Sequence, residues 1–432
     1  MNVAQRLEQA LIPLVGGELP VHLTAWDGST AGPDSAPHVV LNSPQVLRRL
    51  LWHPGELGAA QAYVTGELDI LGDVDAALTQ VWKVARERSL SSVRPTPSTV
   101  ASLLRTAREL GALGLPATPP ASQAQIKGRL HSLARDRLSI SHHYDLSNEF
   151  YSLILDPHMA YSSGYWTSEE PGFTLEDAQR AKLDLVCRKV GLDKPDLRFL
   201  DVGCGWGSLS LHAAEAYGAR VTGVTIAAEQ KKFIDERIRE RGLEDRVEIR
   251  LQDYREVVST SSTTGAGSTT GGYDAVASIE MGEHVGQANY PTYVEVLRRN
   301  VRPGGRVLIQ QMSRRGRHSG GGPFIESFIA PDMHMRPVGE TVALIEDGGL
   351  EVRDVHGLRE HYVRTVAAWI DAFESNQDRV VELVGAEVAR VWRLYLVGGA
   401  MAFRDGRMGV DQILAVRPDH AGHSGMPWVR DW

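Results

Sequence analysis

The sequence predicts an α/β protein: an open, Rossmann-like sheet preceded by a smaller α+β domain. Two observations carry that expectation. From about Ile126 onward, short apolar runs alternate with segments of helical spacing, the signature of an open α/β sheet. One run, Phe199-Leu-Asp-Val202, leads into Gly203-Cys-Gly-Trp-Gly207, a G-x-G-x-G turn followed by a stretch that can open a helix. Glycines there let the backbone turn sharply and approach a ligand closely. A strand-turn-helix of this kind builds a nucleoside or phosphate-type pocket at the carboxyl edge of a parallel sheet.

Residues 1–112 are expected to form an accessory domain. Strand candidates Val21–Thr24 and His38–Leu41 flank turn-rich Asp27-Gly-Ser29 and Gly32-Pro-Asp34, and helical patterns follow at Gln45–Leu51 and Val74–Ala85. Residues 113–125, with Pro116, Pro119 and Pro120, read as a linker. The second domain, 126–432, has strand candidates at Phe199–Val202, Arg220–Thr225, Val247–Leu251, Ala275–Ile279 and Arg306–Gln310. Helical segments lie between them, at Ala227–Arg241 and Tyr290–Asn300 for example. Ser259–Gly272, almost wholly Ser, Thr and Gly, has nothing to pack and reads as a mobile surface loop.

A net charge of −8 over 432 residues gives no global electrostatic case for a nucleic acid partner. Basic clusters at Lys127, Arg129, Arg135 and Arg137, and at Arg314, Arg315 and Arg317, read as solvated faces or as local binding patches. Cys187 and Cys204 supply neither a disulfide framework nor a metal knuckle, which suits a reducing cytoplasm. Cys187 sits at helical spacing and reads as a small core residue. The first residues lack the basic start and apolar block of a secretory signal, and no apolar run is long enough to span a bilayer. A soluble or peripheral protein is expected.

The loop's ligand is narrowed by what is missing. A dinucleotide fingerprint needs G-x-G-x-x-G and an acid at the tip of the next strand. Here the third glycine comes one position early, and Arg220–Thr225 ends in threonine. A phosphate loop would need Gly-Lys-Ser/Thr, which does not follow. An adenosyl group bearing an amino acid remains, its ammonium suited to Asp201 or nearby carbonyls.

The surrounding motifs sharpen this. Upstream stand His143-Tyr-Asp-Leu-Ser-Asn-Glu-Phe-Tyr151 and Met159-Ala-Tyr-Ser-Ser-Gly-Tyr-Trp166. Downstream stand Val224-Thr-Ile-Ala-Ala-Glu-Gln230, Leu251-Gln-Asp-Tyr-Arg255, Ser278-Ile-Glu-Met-Gly-Glu-His-Val-Gly286, Arg302-Pro-Gly-Gly305 and Leu358-Arg-Glu-His-Tyr-Val-Arg-Thr-Val-Ala-Ala-Trp369. In this order and spacing the chain closely resembles the cyclopropane fatty acid synthase family, enzymes that use S-adenosylmethionine to modify double bonds of lipid acyl chains. The resemblance covers about Arg129 to the C-terminus. It is weaker in the N-terminal domain, at Gly55–Asp69.

The resemblance implies an S-adenosylmethionine methyltransferase sheet and a cofactor site. Tyr161 and Ser162 cap the methionine end, Gly203, Gly205 and Gly207 form the turn beside it, and Thr225 and Gln230 take the ribose. Asp253 and Tyr254 hold the adenine. It further implies a bound bicarbonate as general base, caged by Glu283 and Tyr362, with Tyr144 lining the pocket. Two cage positions depart from the family: Ser163 stands for its cysteine and Gln310 for its histidine. Glutamine cannot titrate, so the anion must be held differently or the proton redirected. The family's aromatic-proline-glycine segment is also altered, to Phe328-Ile-Ala-Pro-Asp-Met333.

Attack of a double bond on the sulfonium methyl leaves a carbocation, which aromatic faces and an anion stabilise. Loss of a proton from the transferred methyl closes a cyclopropane; loss after a hydride shift leaves an exocyclic methylene. The changed cage at Ser163, Gln310 and Met312 favours methylene formation, a product that would feed a partner reductase. The alternatives are methyl transfer to another small or lipid acceptor, or a lipid-binding homologue without activity. Glu280, Glu283 and His284 lack the histidine of an inverted zinc-protease motif, so no metal is expected; Glu280 is left as a second pocket acid or a salt-bridged strand end. An acyl substrate implies peripheral contact with phospholipid at the inner membrane surface, for which Arg314, Arg315 and Arg317 are candidates. The family also suggests a homodimer.

Overall fold

The computed structural model describes residues 1–90, 96–124, 146–258, 272–316, 319–430 and 432. They belong to two units: Met1–Ala124 with Gly322–Ile329 and Gln377–Met401, and Gln125–Gly321 with Ala330–Asn376 and Ala402–Trp432. The first unit therefore includes two segments that the sequence division at 113–125 leaves in the second domain. Tyr144, Arg317, the Lys127–Arg137 cluster and the Ser259–Gly271 insertion lie outside the described residues.

In the first unit, β1 (His22–Thr24), β2 (Thr30–Ala31), β3 (His38–Leu41) and β4 (Leu68–Ile70) form a sheet in the order β2-β1-β3-β4. Its core gathers Leu7, Leu19, Leu23, Leu41, Val46 and Ala62. Residues 113–124 carry no helix or strand, yet they are tied down. Arg49 donates to Thr118 O at 3.1 Å while pairing with Glu67 at 2.7 Å, and Gln61 bonds Gln123 at 2.8 Å.

The second unit is built on β5 (Arg198–Val202), β6 (Arg220–Thr225), β7 (Val247–Leu251), β8 (Tyr273–Ile279), β9 (Val301–Arg314), β10 (Glu351–Gly357) and β11 (Met408–Val416). Their order is β10-β11-β9-β8-β5-β6-β7, with β5 to β9 pairing in parallel and β11 antiparallel to both neighbours. The five expected strands are all present, β9 beginning five residues before its expected start at Arg306. β10 and β11 were not expected.

Alternation along the strands makes two cores from one sheet. Phe199, Val221, Ala277, Leu308 and Leu414 face one side, with Leu183, Val186 and Cys187 of the helix Leu175–Val190. Leu200, Val224, Val276, Ile309 and Ile413 face the other, with Tyr290, Tyr293 and Leu297 of the helix Tyr290–Asn300. Strand order reverses at β5: the chain runs to β6 and β7 on one side, then returns to β8 on the other. Such a switch point opens a crevice at the strands' carboxyl ends, and the glycine turn lies there.

Candidate active site

The turn after β5 holds Gly203, Gly205 and Gly207 at φ of 78°, 54° and 81°, the left-handed region. A Cβ at Gly207 would sit 2.9 Å from Ile234, whereas one at Gly205 would meet nothing within 4 Å. Gly207 thus lets the turn pack against Ile234 of the helix Ala228–Glu240, and Gly205 leaves open space. Two clefts meet at that space, both bordered by Gly205, Gln230 and Glu280.

The first cleft, about 510 Å³, is walled by Met159, Tyr161, Ser162, Lys182, Asp201 and Trp206 among others. Asp201 is buried and accepts from Ser210 Oγ at 2.7 Å; burial pushes its pKa up to about 6. Ser162 Oγ accepts from Lys182 Nζ at 2.9 Å, and Gln179 donates to the carbonyls of Ser162 (2.7 Å) and Ala160 (3.2 Å), clamping this strip. Burial lowers the Lys182 pKa to about 8, opposed by the charges of Asp156, Glu280 and Asp201. Lys182, Gln179 and Trp206 were not anticipated as site residues. They carry no motif signal of their own, being brought in by a helix face and by the turn.

The second cleft, about 810 Å³, runs past Thr225, Gln252, Asp253, Tyr254, Arg255, Met281 and His284. Thr225 Oγ1 bonds Gln230 Oε1 at 3.0 Å, bringing together the two residues expected at a ribose. Asp253 is pinned by Arg255, whose Nε lies 2.8 Å from Oδ1 and Nη2 2.8 Å from Oδ2. The ring of Tyr254 lies edge-on to Tyr293 at 5.8 Å. These features fit an adenosyl group: neutral hydrogen-bonding side chains at the strand tip, an aromatic face and an acid beyond it.

Beyond the first cleft the rings of Tyr161, Trp369, Tyr362 and Phe403 follow one another at centroid distances of 5.3, 5.8 and 4.4 Å. Tyr362 is buried within this ladder on the helix Arg359–Ser375. Ser163 is fully buried and its hydroxyl donates to the carbonyl of Gly164 at 2.9 Å.

Glu283 rides on the short turn Gly282–His284 and is fully buried, with neither carboxyl oxygen hydrogen-bonded among the described residues. Glu280, at the end of β8, brings its carboxyl within hydrogen-bonding reach of Glu283. Burial raises both pKa values, Glu283 well above the usual range with the Glu280 charge adding to it. The pair therefore holds a proton to higher pH than a lone exposed carboxyl would, Glu283 the more strongly. Gln310 Nε2 donates to Glu280 Oε1 at 2.9 Å, while Gln310 Oε1 accepts from Gln412 Nε2 at 3.0 Å.

A bicarbonate, expected from the resemblance, does not fit this cage. A further anion would meet the negative charge of the Glu280–Glu283 pair, and the amide of Gln310 is already committed to Glu280. Among the described residues, no three His, Cys, Asp or Glu side chains gather as a metal site.

Comparison with known proteins places this arrangement. Residues 131–413 match the mycolic acid cyclopropane synthetase family. The chain is 35% identical to a probable fatty acid methyltransferase of Mycobacterium tuberculosis, over 96% of this chain and 95% of that one. It is 36% identical to the cyclopropane-fatty-acyl-phospholipid synthase of Escherichia coli, over 61% of this chain and 63% of that one. The solved structure of a mycolic acid cyclopropane synthase complexed with SAH and CTAB superposes with a TM-score of 0.58 at 28% identity, covering 65% of this chain and 97% of its own. The chain belongs to the mycolic acid cyclopropane synthetase family of S-adenosylmethionine-dependent methyltransferases.

Proposed function

We propose that the protein transfers a one-carbon unit from S-adenosylmethionine to the double bond of an unsaturated fatty acyl chain on a phospholipid, giving a methylene-branched product. The observation that carries this reading is the aromatic ladder Tyr161–Trp369–Tyr362–Phe403, which continues from the first cleft. When bound, S-adenosylmethionine supplies an electrophilic methyl carbon. A double bond is a weak nucleophile, and a water-poor wall of rings aligns it and stabilises the cation left on the chain. A transferase acting on a lone pair of oxygen or nitrogen needs no such wall.

The methylene product is supported by Ser163 and Gln310. Neither can serve as a titrating group at the cage, so proton removal need not follow the ring-closing course. The relatives divide the same way, one being named for fatty acid methylation and another for cyclopropane synthesis. Expression in a host that makes oleate, with fatty acids read by gas chromatography and mass spectrometry, is expected to reveal a methylene-branched chain. Cyclopropane product alone would overturn the methylene assignment. Absence of labelled methyl from extracted phospholipid would overturn the acyl-chain reading.

Access to such a substrate calls for peripheral contact with the inner membrane surface. No helix among the described residues is long and apolar enough to cross a membrane. Arg314 ends β9 and Arg315 follows it, exposed. Neutralising Arg314, Arg315 and Arg317 together is expected to reduce co-sedimentation with anionic liposomes; unchanged binding would remove this patch from the proposal. A homodimer and a reductase acting on the product complete the reading.

A further inference from the structure

Glu280 occupies a costly position with no task in methyl transfer itself. Its φ is +51°, a left-handed conformation that L side chains rarely adopt. The backbone is held there by its N–H, which donates to Gln310 O at 2.7 Å. The carboxyl is held by the same residue: Gln310 Nε2 reaches Oε1, and Gln310 is in turn fixed by Gln412, both glutamines being fully buried. Oε2, by contrast, is buried without a hydrogen-bond partner. Glu280 is half-buried overall and borders both clefts.

Its neighbour Glu283 completes the arrangement. Both Glu283 oxygens are buried, and the two carboxyls lie within hydrogen-bonding reach. Backbone N–H groups reach both carboxyls, those of Glu283 and Met312 at Glu283 and that of Ser163 at Glu280, but Glu280 alone has the Gln310 side-chain amide and feels the Lys182 charge. The proton the pair shares accordingly rests on Glu283, and Glu280 is the ionised member.

We infer that Glu280 is the proton acceptor of the reaction, a protein carboxylate standing where the resemblance expects a bound bicarbonate. This rests on the acyl-chain reading above. In that reaction the double bond's π pair forms the new carbon–carbon bond as the sulfur–methyl bond breaks toward sulfur, leaving a neutral thioether and a chain with one positive charge. Glu280 Oε2 then takes a proton from a carbon beside that charge or from the new methyl. The C–H electron pair becomes the second bond of the product, as a double bond or a ring closure. Charge balances: the cation is neutralised, Glu280 becomes a carboxylic acid, and its proton returns to water through the cleft.

The test uses the full chain and transfer of label from S-adenosylmethionine into vesicles of dioleoylphosphatidylglycerol, in buffer purged of carbon dioxide and again with bicarbonate added. The wild-type rate is expected to be the same in both. Glu280→Gln is expected to lose about 10²–10⁴-fold in rate, the usual share of a general base, while binding S-adenosylhomocysteine normally by calorimetry. Glu280→Gly relieves the left-handed strain and opens anion-sized space. It is expected to be as slow as the glutamine variant without bicarbonate and to recover when bicarbonate or formate is added. A wild-type rate that collapses without bicarbonate and returns with it would overturn the inference, as would a Glu280→Gln rate within about threefold of wild type. A wild-type chain that labels no lipid under either condition overturns the acyl-chain reading, and the inference with it.

Discussion

Asp201 shows how one buried carboxyl ties stability to ligand chemistry. Its position after an apolar run marked it in the sequence as a partner for an ammonium; its depth and its bond to Ser210 came only with the fold. Burial raises its pKa to about 6, above the value of an unfolded chain. The stabilising contribution of a raised group is complete below the unfolded pKa and is lost as pH rises through the folded one. The ligand-free protein should thus lose on the order of 2–3 kcal/mol from this site between about pH 4 and pH 7. Thermal melts across that range should fall for wild type relative to Asp201→Asn. A ligand ammonium reverses the preference, so binding of S-adenosylmethionine near pH 6 should release a proton. Calorimetry in two buffers of different ionisation enthalpy reads this, and equal enthalpies would speak against the contact. Gly282 is a second residue whose role no motif displays. A Cβ there would lie 1.8 Å from Gln311 Oε1, the atom that accepts from Tyr290 at 2.6 Å. Gly282→Ala should cost about 1–3 kcal/mol by overpacking, seen as a lower melting temperature, and should displace Glu283 beside it.

At the scale of elements, strands β5 to β9 were legible because each is an apolar run bounded by turn residues. β10 and β11 were not. β10 is partly exposed along its whole length, and β11 enters antiparallel between β9 and β10 from the far end of the chain. That late insertion hid the most informative pairing in the cage. The register sets Gln412 directly opposite Gln310, so the loss of a titrating residue at position 310 is matched by a second amide on the neighbouring strand. Gln412 also fixes which way the Gln310 amide points. Without that donor the amide is free to turn its oxygen toward the Glu280 carboxylate, an acceptor facing an acceptor. Gln412→Leu should therefore lower kcat about tenfold, the cost of one buried hydrogen bond, while affinity for S-adenosylhomocysteine stays unchanged. Equal losses in rate and affinity would show instead that the strand pair had shifted as a body.

At the scale of the whole molecule, the sequence offered a proline-rich boundary at 113–125; the first unit's opening segment ends there, at Ala124, but the unit also gathers two later segments. The first unit takes in Gln377–Met401, a helical stretch kinked at Gly385 whose partners lie 265 to 327 residues earlier. Nothing local in either segment announces the other. Arg390 shows what joins them: its guanidinium sits 4.2 Å over the Tyr63 ring and donates to the carbonyls of Tyr63 and Leu68 and to Asp69. Glu387 likewise accepts from the backbone N–H of Ser122 at 2.7 Å, fastening the proline-rich strip. A fragment of residues 1–124 alone keeps its four short strands but leaves those carbonyls and the Tyr63 face without their cation. It should melt well below the same unit in the full chain, or show no cooperative transition by circular dichroism. In the full chain, Arg390→Ala should cost about 2–3 kcal/mol, the combined scale of one cation–π contact and the bonds made to a charged donor. A fragment as stable as the intact unit, together with an Arg390→Ala variant that melts like wild type, would place the boundary back at the prolines. It would make the helix a neighbour of the first unit instead of a part of it.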